Sequence, residues 1–128
     1  MTIKNIHQIF QAEFKNIEHL FSIHELNLIE AEESKELFVY SAGVYVFHKD
    51  KQVIKVGRSL ENSRKRALEH IRDGTQVPDF NMTTLKRDIN ATLILFNLID
   101  KTKSHWAAAL EMYFENTLNP IIKSKRMG

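Results

Sequence analysis

Residues 37–59 read LFVYSAGVYVFHKDKQVIKVGRS, in which two runs rich in Val, Ile, Tyr and Phe flank a short polar stretch. Branched and aromatic residues of this kind favour β-strands, and a short polar connection between two such runs is typical of a β-hairpin. The sequence therefore predicts strands over 37–47 and 53–56, joined by a loop over 48–52.

The length of that loop determines which residues face each other across the hairpin. A loop of three or five residues pairs Tyr45 directly with Lys55 on one face. An ammonium group beside a phenol favours the charged form of the phenol, which prepares it to accept a proton. An ordinary cross-strand pair on an exposed face is the alternative interpretation of these two residues.

The residues before the hairpin show helical periodicity and an acidic balance. Apolar side chains recur every three or four positions between residues 3 and 21, which predicts an amphipathic helix. Ser22 and Glu25 have the spacing of a capping box, which predicts a second short helix. Residues 1–37 contain three basic and seven acidic side chains, a net charge of −4, whereas residues 38–128 carry a net charge of +6.

Three further elements are predicted after the hairpin. A helix begins at Leu60, which we place on its buried face, and Gly74 ends it, as glycine commonly does. The apolar run over 91–99 predicts a buried strand, and Ser104 is the candidate cap of a last helix that stops before Pro120. The elements from the hairpin onward form a β-β-α-β-α core. The predicted fold is α+β, with a small, mainly antiparallel sheet and helices packed against it.

The length of 128 residues suits one domain, which we divide into an acidic helical extension over 1–36 and a core over 37–128. No apolar run approaches the roughly 20 residues of a membrane span, and the first ten residues lack the apolar stretch of a secretion signal. The chain has no Cys, which excludes disulfides and leaves His and carboxylates as metal ligands. We therefore expect a cytoplasmic protein that does not contact membranes.

A cluster of basic side chains lies directly after the hairpin. Its members, Arg58, Arg64, Lys65, Arg66 and Arg72, fall within fifteen positions. Such a cluster indicates an anionic partner, and phosphate groups are the natural candidate. A chance grouping of charges on a solvated surface is the alternative.

Three residues have side chains that suit phosphate chemistry. Arg66 and His70 are four positions apart and share one face of the predicted helix, where an Arg can bind a phosphate and a His can move a proton. On the last helix, Glu111 follows small residues that allow close packing, and a carboxylate there is a candidate ligand for Mg²⁺. The alternatives are a solvated face for the Arg–His pair and one more surface carboxylate, like Glu115, for Glu111.

Taken together and in this order, four features resemble the GIY-YIG nuclease domain over about residues 38–123. They are Gly43-Val44-Tyr45, Lys55-Val56-Gly57, the Arg66–His70 pair and Glu111. The β-β-α-β-α order matches the fold of that family. Two residues depart from its usual pattern. Lys55 replaces the first Tyr of the second motif, as in the branch with Lys-Ile-Gly or Lys-Val-Gly, and Lys123 stands where many members have Asn.

The resemblance implies metal-dependent hydrolysis of a DNA phosphodiester bond. Glu111 would hold a single Mg²⁺ or Mn²⁺ ion that binds the scissile phosphate. Tyr45 would take the proton from the attacking water, helped by Lys55 and His70, with His70 itself as the alternative base. Arg66 would neutralise the phosphate in the transition state.

From the basic cluster we expect Arg58, Arg64 and Lys65 to bind substrate phosphates, and the resemblance places Arg58 near Arg66 at the scissile phosphate. Two other functions stay open at this point. One is a nucleic-acid-binding module of the same fold that does not cleave, and the other is a protein-interaction domain that uses the acidic N-terminal helices. Those helices either pack on the core or form a homodimer contact.

Overall fold

The computed structural model describes residues 1–34, 41–72, 74–78, 80–85 and 88–124. Within these ranges the chain forms four α-helices and six strands, connected by short 3₁₀ turns. The helices are α1 (Ile3–Phe14), α2 (Leu28–Glu33), α3 (Ser63–Arg72) and α4 (Ser104–Thr117). The strands are β1 (Phe21–Asn27), β2 (Gly43–Lys49), β3 (Gln52–Ser59), β4 (Gln76–Val77), β5 (Phe80–Asn81) and β6 (Ala91–Leu98).

Four of the strands form one antiparallel sheet in the order β1-β6-β2-β3. The α+β class and the mainly antiparallel sheet are therefore confirmed. The predicted elements β2, β3, α3, β6 and α4 also follow one another in the expected order, with the small β4-β5 hairpin inserted between α3 and β6. No helix in the described part of the chain is both long enough and apolar enough to cross a lipid bilayer.

Both faces of the sheet are buried, because strand residues alternate between two hydrophobic clusters. Val44 and Val46 on β2 pack with α1 and α4, whereas Tyr45 and Phe47 point to the opposite face. That second face is covered by α2, α3 and the 3₁₀ turn Met82–Leu85, which contribute Leu28, Ala31, Ala67, Ile71, Met82 and Leu85. The alternation places Tyr45 on the side of the sheet that carries α3.

The helix predicted from Ser22 is wrong, since Phe21–Asn27 forms the edge strand β1. All seven residues of β1 pair with β6, which lies about seventy positions further along the chain. Strand formation depends strongly on tertiary pairing, and here that pairing overrides the local capping-box spacing. The short helix α2 begins one turn later, where the Asn27 side chain accepts a hydrogen bond from the Glu30 backbone at 2.8 Å.

The N-terminal segment is therefore a part of the sheet as well as a helical layer on it. The predicted amphipathic helix ends at Phe14 and continues as the 3₁₀ helix Lys15–Leu20. Phe10 lies 5.2 Å from Phe96 and 5.7 Å from Phe21, measured between ring centroids, so α1 is held on β6 and β1 by aromatic contacts. The boundary we predicted between residues 36 and 37 lies outside the described residues, as does the first part of the strand predicted over 37–47.

The hairpin of β2 and β3 has a tighter turn than expected. Its connection is only Asp50 and Lys51, both with positive φ (50° and 62°), as in the two-residue turns that match the twist of paired strands. Lys49 therefore pairs with Gln52, and the prediction of a loop of three or five residues is wrong.

A bulge then shifts the register by one more residue. Phe47 pairs with Lys55 and His48 with Val53, so β3 carries an extra residue opposite the bond between Phe47 and His48. Tyr45 consequently lies opposite Gly57, and the predicted direct pairing of Tyr45 with Lys55 is wrong. The Tyr45 and Lys55 side chains still lie on the same face of the sheet, two positions apart along the hairpin.

The helix α3 begins at Ser63, because β3 continues to Ser59. Leu60 is 55% exposed, so its predicted place on the buried face of the helix is wrong. The Ser59 hydroxyl accepts a hydrogen bond from the Asn62 backbone at 3.0 Å, which turns the chain from the strand into the helix. At the other end Gly74 has a φ of 66°, which confirms its predicted role in ending the helix.

Candidate active site

A cleft of about 530 Å³ opens between β3, α3 and the C-terminal segment. Tyr45, Lys55, Arg66 and His70 all line it, so the fold brings together the four residues predicted to be catalytic. Lys123, which the sequence resemblance sets where many GIY-YIG domains have Asn, lines the same cleft. Arg58, Arg64, Lys65 and Glu111, the other predicted site residues, are not among its lining residues.

The C-terminal segment forms one wall of the cleft by extending the sheet. The backbone N–H groups of Ile121 and Ile122 donate to the carbonyls of Val53 and Ile54 at 3.1 and 2.8 Å. These bonds lay the segment parallel to β3 along its outer edge. Lys123 is thereby held at the rim, where its ammonium group lies 2.5 Å from the Asn119 side-chain oxygen.

The floor of the cleft is the ring of Tyr45, which lies across Gly57. Tyr45 is fully buried, and a Cβ atom added at Gly57 would overlap the Cζ and Oη atoms of its ring. Only a glycine at this position leaves room for the phenol. The close approach gives a physical reason for the glycine of the Lys-Val-Gly motif opposite the tyrosine of Gly-Val-Tyr.

His70 joins Tyr45 to Thr75 through its two ring nitrogens. His70 Nε2 lies 2.9 Å from Tyr45 Oη, and His70 Nδ1 lies 2.8 Å from Thr75 Oγ1. The imidazole is thus fixed at both ends, with one nitrogen on the phenol that lines the cleft. A neutral imidazole and a phenol in hydrogen-bond contact can exchange a proton.

The electrostatic character of the cleft is cationic. Lys55, Arg66 and Lys123 contribute three positive charges, and the described residues that line the cleft include no Asp or Glu. Lys55 is only 7% exposed, whereas Arg66 is exposed and donates to Glu69 Oε2 at 3.0 Å. A cleft with this lining favours an anionic ligand.

The predicted metal ligand Glu111 is buried beneath Arg58. Arg58 Nη1 donates to Glu111 Oε1 at 2.9 Å, and the carboxylate side chain is 1% exposed while the arginine is 27% exposed. One carboxylate completed by water and phosphate oxygens is a donor set that Mg²⁺ commonly uses, so the residue type fits the ion. Because the guanidinium contacts Oε1, a cation that binds this oxygen competes with Arg58.

No larger acidic cluster supplements Glu111, since the described residues contain no group of three or more His, Cys, Asp or Glu that could hold a metal.

Glu115, interpreted from the sequence as a surface residue, is instead 6% exposed. Its Oε1 accepts a hydrogen bond of 2.5 Å from the Ser124 backbone, so Glu115 ties α4 to the wall of the cleft.

Two predicted phosphate-binding residues lie on the other side of α3. Arg64 Nη1 donates to the carbonyls of Ala31 and Ser34 at 3.1 and 2.7 Å, at the C-terminal end of α2. Arg64 and the exposed Lys65 line a separate groove of about 450 Å³. The contacts of Arg64 connect the N-terminal segment to α3, and a phosphate-binding role for either residue stays a prediction.

Thr75 is a site residue that the sequence reasoning missed. Gly74 N–H donates to Ile71 C=O at 3.3 Å and Thr75 N–H donates to His70 C=O at 3.0 Å, which is the hydrogen-bond pattern of a Schellman motif. This motif always returns the residue after the glycine to the last turn of the helix. A glycine that ends a helix is the sequence signal for this motif, so the position of Gly74 could have placed Thr75 next to His70.

No family model, curated protein or solved structure matches this chain.

Proposed function

We propose that the protein is a divalent-metal-dependent DNA endonuclease that hydrolyses phosphodiester bonds with a GIY-YIG-like site. The observation that supports this function best is the contact of 2.9 Å between Tyr45 Oη and His70 Nε2 in a cationic cleft. The contact couples a proton acceptor for water to a second base. The cations beside it suit the phosphate group on which that water would act.

The residues of the cleft divide the reaction between them. Tyr45 accepts a proton from the attacking water, whose oxygen bonds to phosphorus as the bond from phosphorus to the leaving sugar oxygen breaks. His70 takes the phenol's own proton through Nε2. Lys55 favours the phenolate form of Tyr45 from the same face of the sheet, and Arg66 binds the phosphate oxygens.

Glu111 would hold the Mg²⁺ or Mn²⁺ ion, whose chemistry there is to neutralise charge on the phosphate and the leaving oxygen. For an ion held at Oε1, the Arg58 side chain must first leave that oxygen. Arg58 can then bind the phosphate of the substrate, as the resemblance implies.

A cleavage assay tests the proposal. Purified protein is incubated with supercoiled plasmid, flap, junction and single-stranded DNA in the presence of Mg²⁺ or Mn²⁺. We expect cleavage of at least one substrate, a loss of roughly 10²- to 10⁴-fold in Tyr45→Phe, and no cleavage by Glu111→Ala. Tyr113→Phe is the matched control, because the Tyr113 hydroxyl donates to the Ile9 carbonyl away from the cleft. Persistent cutting by Glu111→Ala would assign the activity to a contaminant or to another ligand.

A nucleic-acid-binding module that does not cleave is the second candidate. The ion pair that covers Glu111 favours it, as does Lys123 in place of the usual Asn. This function predicts DNA binding that weakens steeply with salt, without metal-dependent cleavage of any of the four substrates.

A further inference from the structure

We propose that Thr75 is a positioning residue that holds His70 in the tautomer with its proton on Nδ1, so that Nε2 can receive the proton of Tyr45. The inference rests on the proposed nuclease function of the cleft. Thr75 does not touch the substrate in this account and acts only through His70.

A neutral imidazole fits this geometry in two arrangements. A neutral ring carries one N–H group, so one of its nitrogens donates while the other accepts. His70 contacts an oxygen at each nitrogen, Thr75 Oγ1 at 2.8 Å and Tyr45 Oη at 2.9 Å. In the first arrangement Nδ1–H donates to Thr75 Oγ1 and Nε2 accepts from the Tyr45 hydroxyl, and in the second both directions are reversed.

The direction of proton transfer selects between the two arrangements. Tyr45 can accept a proton from water only if its own proton leaves, and Nε2 of His70 is the base in contact with its oxygen. Nε2 has a lone pair to offer only when the ring proton is on Nδ1. In that tautomer Nδ1–H donates to Thr75 Oγ1, and the Tyr45 hydroxyl donates to Nε2.

The backbone fixes the threonine in the position that this role needs. The Schellman motif at the end of α3 binds the Thr75 N–H to the His70 carbonyl at 3.0 Å, and Gly74 allows the reversal with its φ of 66°. Thr75 therefore contacts both the main chain and the side chain of the same histidine. The hydroxyl is held in place by the end of the helix rather than by a mobile loop.

Nitrogen NMR of the histidine rings in the full chain tests the proposal directly. The shifts of Nδ1 and Nε2 distinguish the two neutral tautomers, and a His70→Gln variant assigns the signals of His70 among the six histidines. We expect the Nδ1–H tautomer in the unmodified protein, a mixed or reversed tautomer in Thr75→Val, and the original tautomer in Thr75→Ser. An Nε2–H tautomer in the unmodified protein, or an unchanged tautomer in Thr75→Val, would overturn the proposal.

Cleavage kinetics provide the second readout. Thr75→Val is expected to lower kcat by roughly 10- to 100-fold, by analogy with removal of the outer hydrogen-bond partner of a metal-ligating histidine, with DNA affinity unchanged. Thr75→Ser should retain activity. Thr83→Val is the matched control, because the Thr83 hydroxyl donates to the Ile71 carbonyl at 3.3 Å and is not among the residues that line the cleft.

The two readouts separate this inference from the proposed function. If no substrate is cut but the tautomer responds to Thr75 as expected, the nuclease function fails and the positioning role stands. If cleavage occurs and Thr75→Val leaves both the tautomer and kcat unchanged while the variant melts at the normal temperature, the positioning role fails and the nuclease function stands.

Discussion

Arg58 Nη1 lies 2.9 Å from Glu111 Oε1, and the carboxylate that it covers is 1% exposed. A buried carboxylate needs a positive partner, and this pair supplies one without any metal ion. The guanidinium therefore contacts one oxygen of the carboxylate that we propose as the ligand of a divalent cation.

Removing Arg58 should increase metal affinity and lower stability. We expect Arg58→Ala to bind Mn²⁺ more tightly than the unmodified protein by calorimetry, because the competing cation is absent. The metal-free variant should lose about 3 kcal/mol of unfolding free energy, since one partner of a buried pair remains alone. Equal or weaker Mn²⁺ binding by Arg58→Ala would show that the arginine does not compete. Glu111→Gln should not bind the ion, and Glu13→Gln on α1 is the control.

Gly57→Ala should disrupt the cleft, because Gly57 lies against the Tyr45 ring that forms its floor. The added methyl group overlaps the Tyr45 ring, so we expect the phenol to be displaced from His70, cleavage to fall, and unfolding free energy to drop by about 1–3 kcal/mol. Denaturant unfolding measures the cost. In a Tyr45→Ala background the same substitution should cost less, because the atoms with which it collides are gone. If Gly57→Ala lowers the unfolding free energy equally with Tyr45 present and with Tyr45→Ala, the added methyl group does not collide with the Tyr45 ring.

Arg64 and Lys65 are neighbours in sequence, but the structure predicts that replacing Arg64 lowers stability whereas replacing Lys65 does not. Arg64→Ala removes two hydrogen bonds to α2 and should cost roughly 1–3 kcal/mol of stability, measured by denaturant unfolding. Lys65→Ala should leave stability unchanged, since the side chain is exposed. If Lys65 binds a DNA phosphate, the slope of log affinity against log salt should fall by about 0.9. An unchanged unfolding free energy in Arg64→Ala would show that the contacts of Arg64 with Ala31 and Ser34 do not stabilise the fold.

Lys49 and Asp88 should make part of the stability sensitive to acid. The hydrogen bond from Lys49 lowers the pKa of Asp88 below its ordinary value of 3.8, and the contact is 2.5 Å long. The folded state therefore gains stability that is fully present above pH 3.8 and is lost as the pH falls through the lower folded pKa. Thermal unfolding of Asp88→Asn should show a smaller decline below pH 3.8 than the unmodified protein does. A Glu61→Gln variant, changed at an exposed acid, should follow the unmodified curve.

Local patterns were sufficient for the elements that carry the cleft. The alternating hairpin residues, the spacing of Arg66 and His70, and the glycine at the end of α3 each encode a local geometry, and the structure has all three. Their assembly into one cleft follows because β2, β3 and α3 are consecutive in the chain.

Features that depend on distant contacts were not predictable in this way. β1 forms because β6 offers it a partner about seventy residues away, and no short-range signal at Ser22 reports that partner. The two-residue turn and the bulge at Phe47 together move the partner of Tyr45 from Lys55 to Gly57, which alternation alone does not reveal. Arg64 and Glu111 have side chains that suit phosphate and metal, yet their nearest partners are a helix end and another side chain.

The parallel pairing of Ile121 and Ile122 with β3 also affects how the protein behaves towards other copies of itself. An unpaired strand at a sheet edge is a template for association between chains, and these two residues cover the carbonyls of Val53 and Ile54 on that edge. A chain truncated after Leu118 would expose these two carbonyls beside a hydrophobic hairpin. We therefore expect the segment that forms one wall of the cleft to limit aggregation as well.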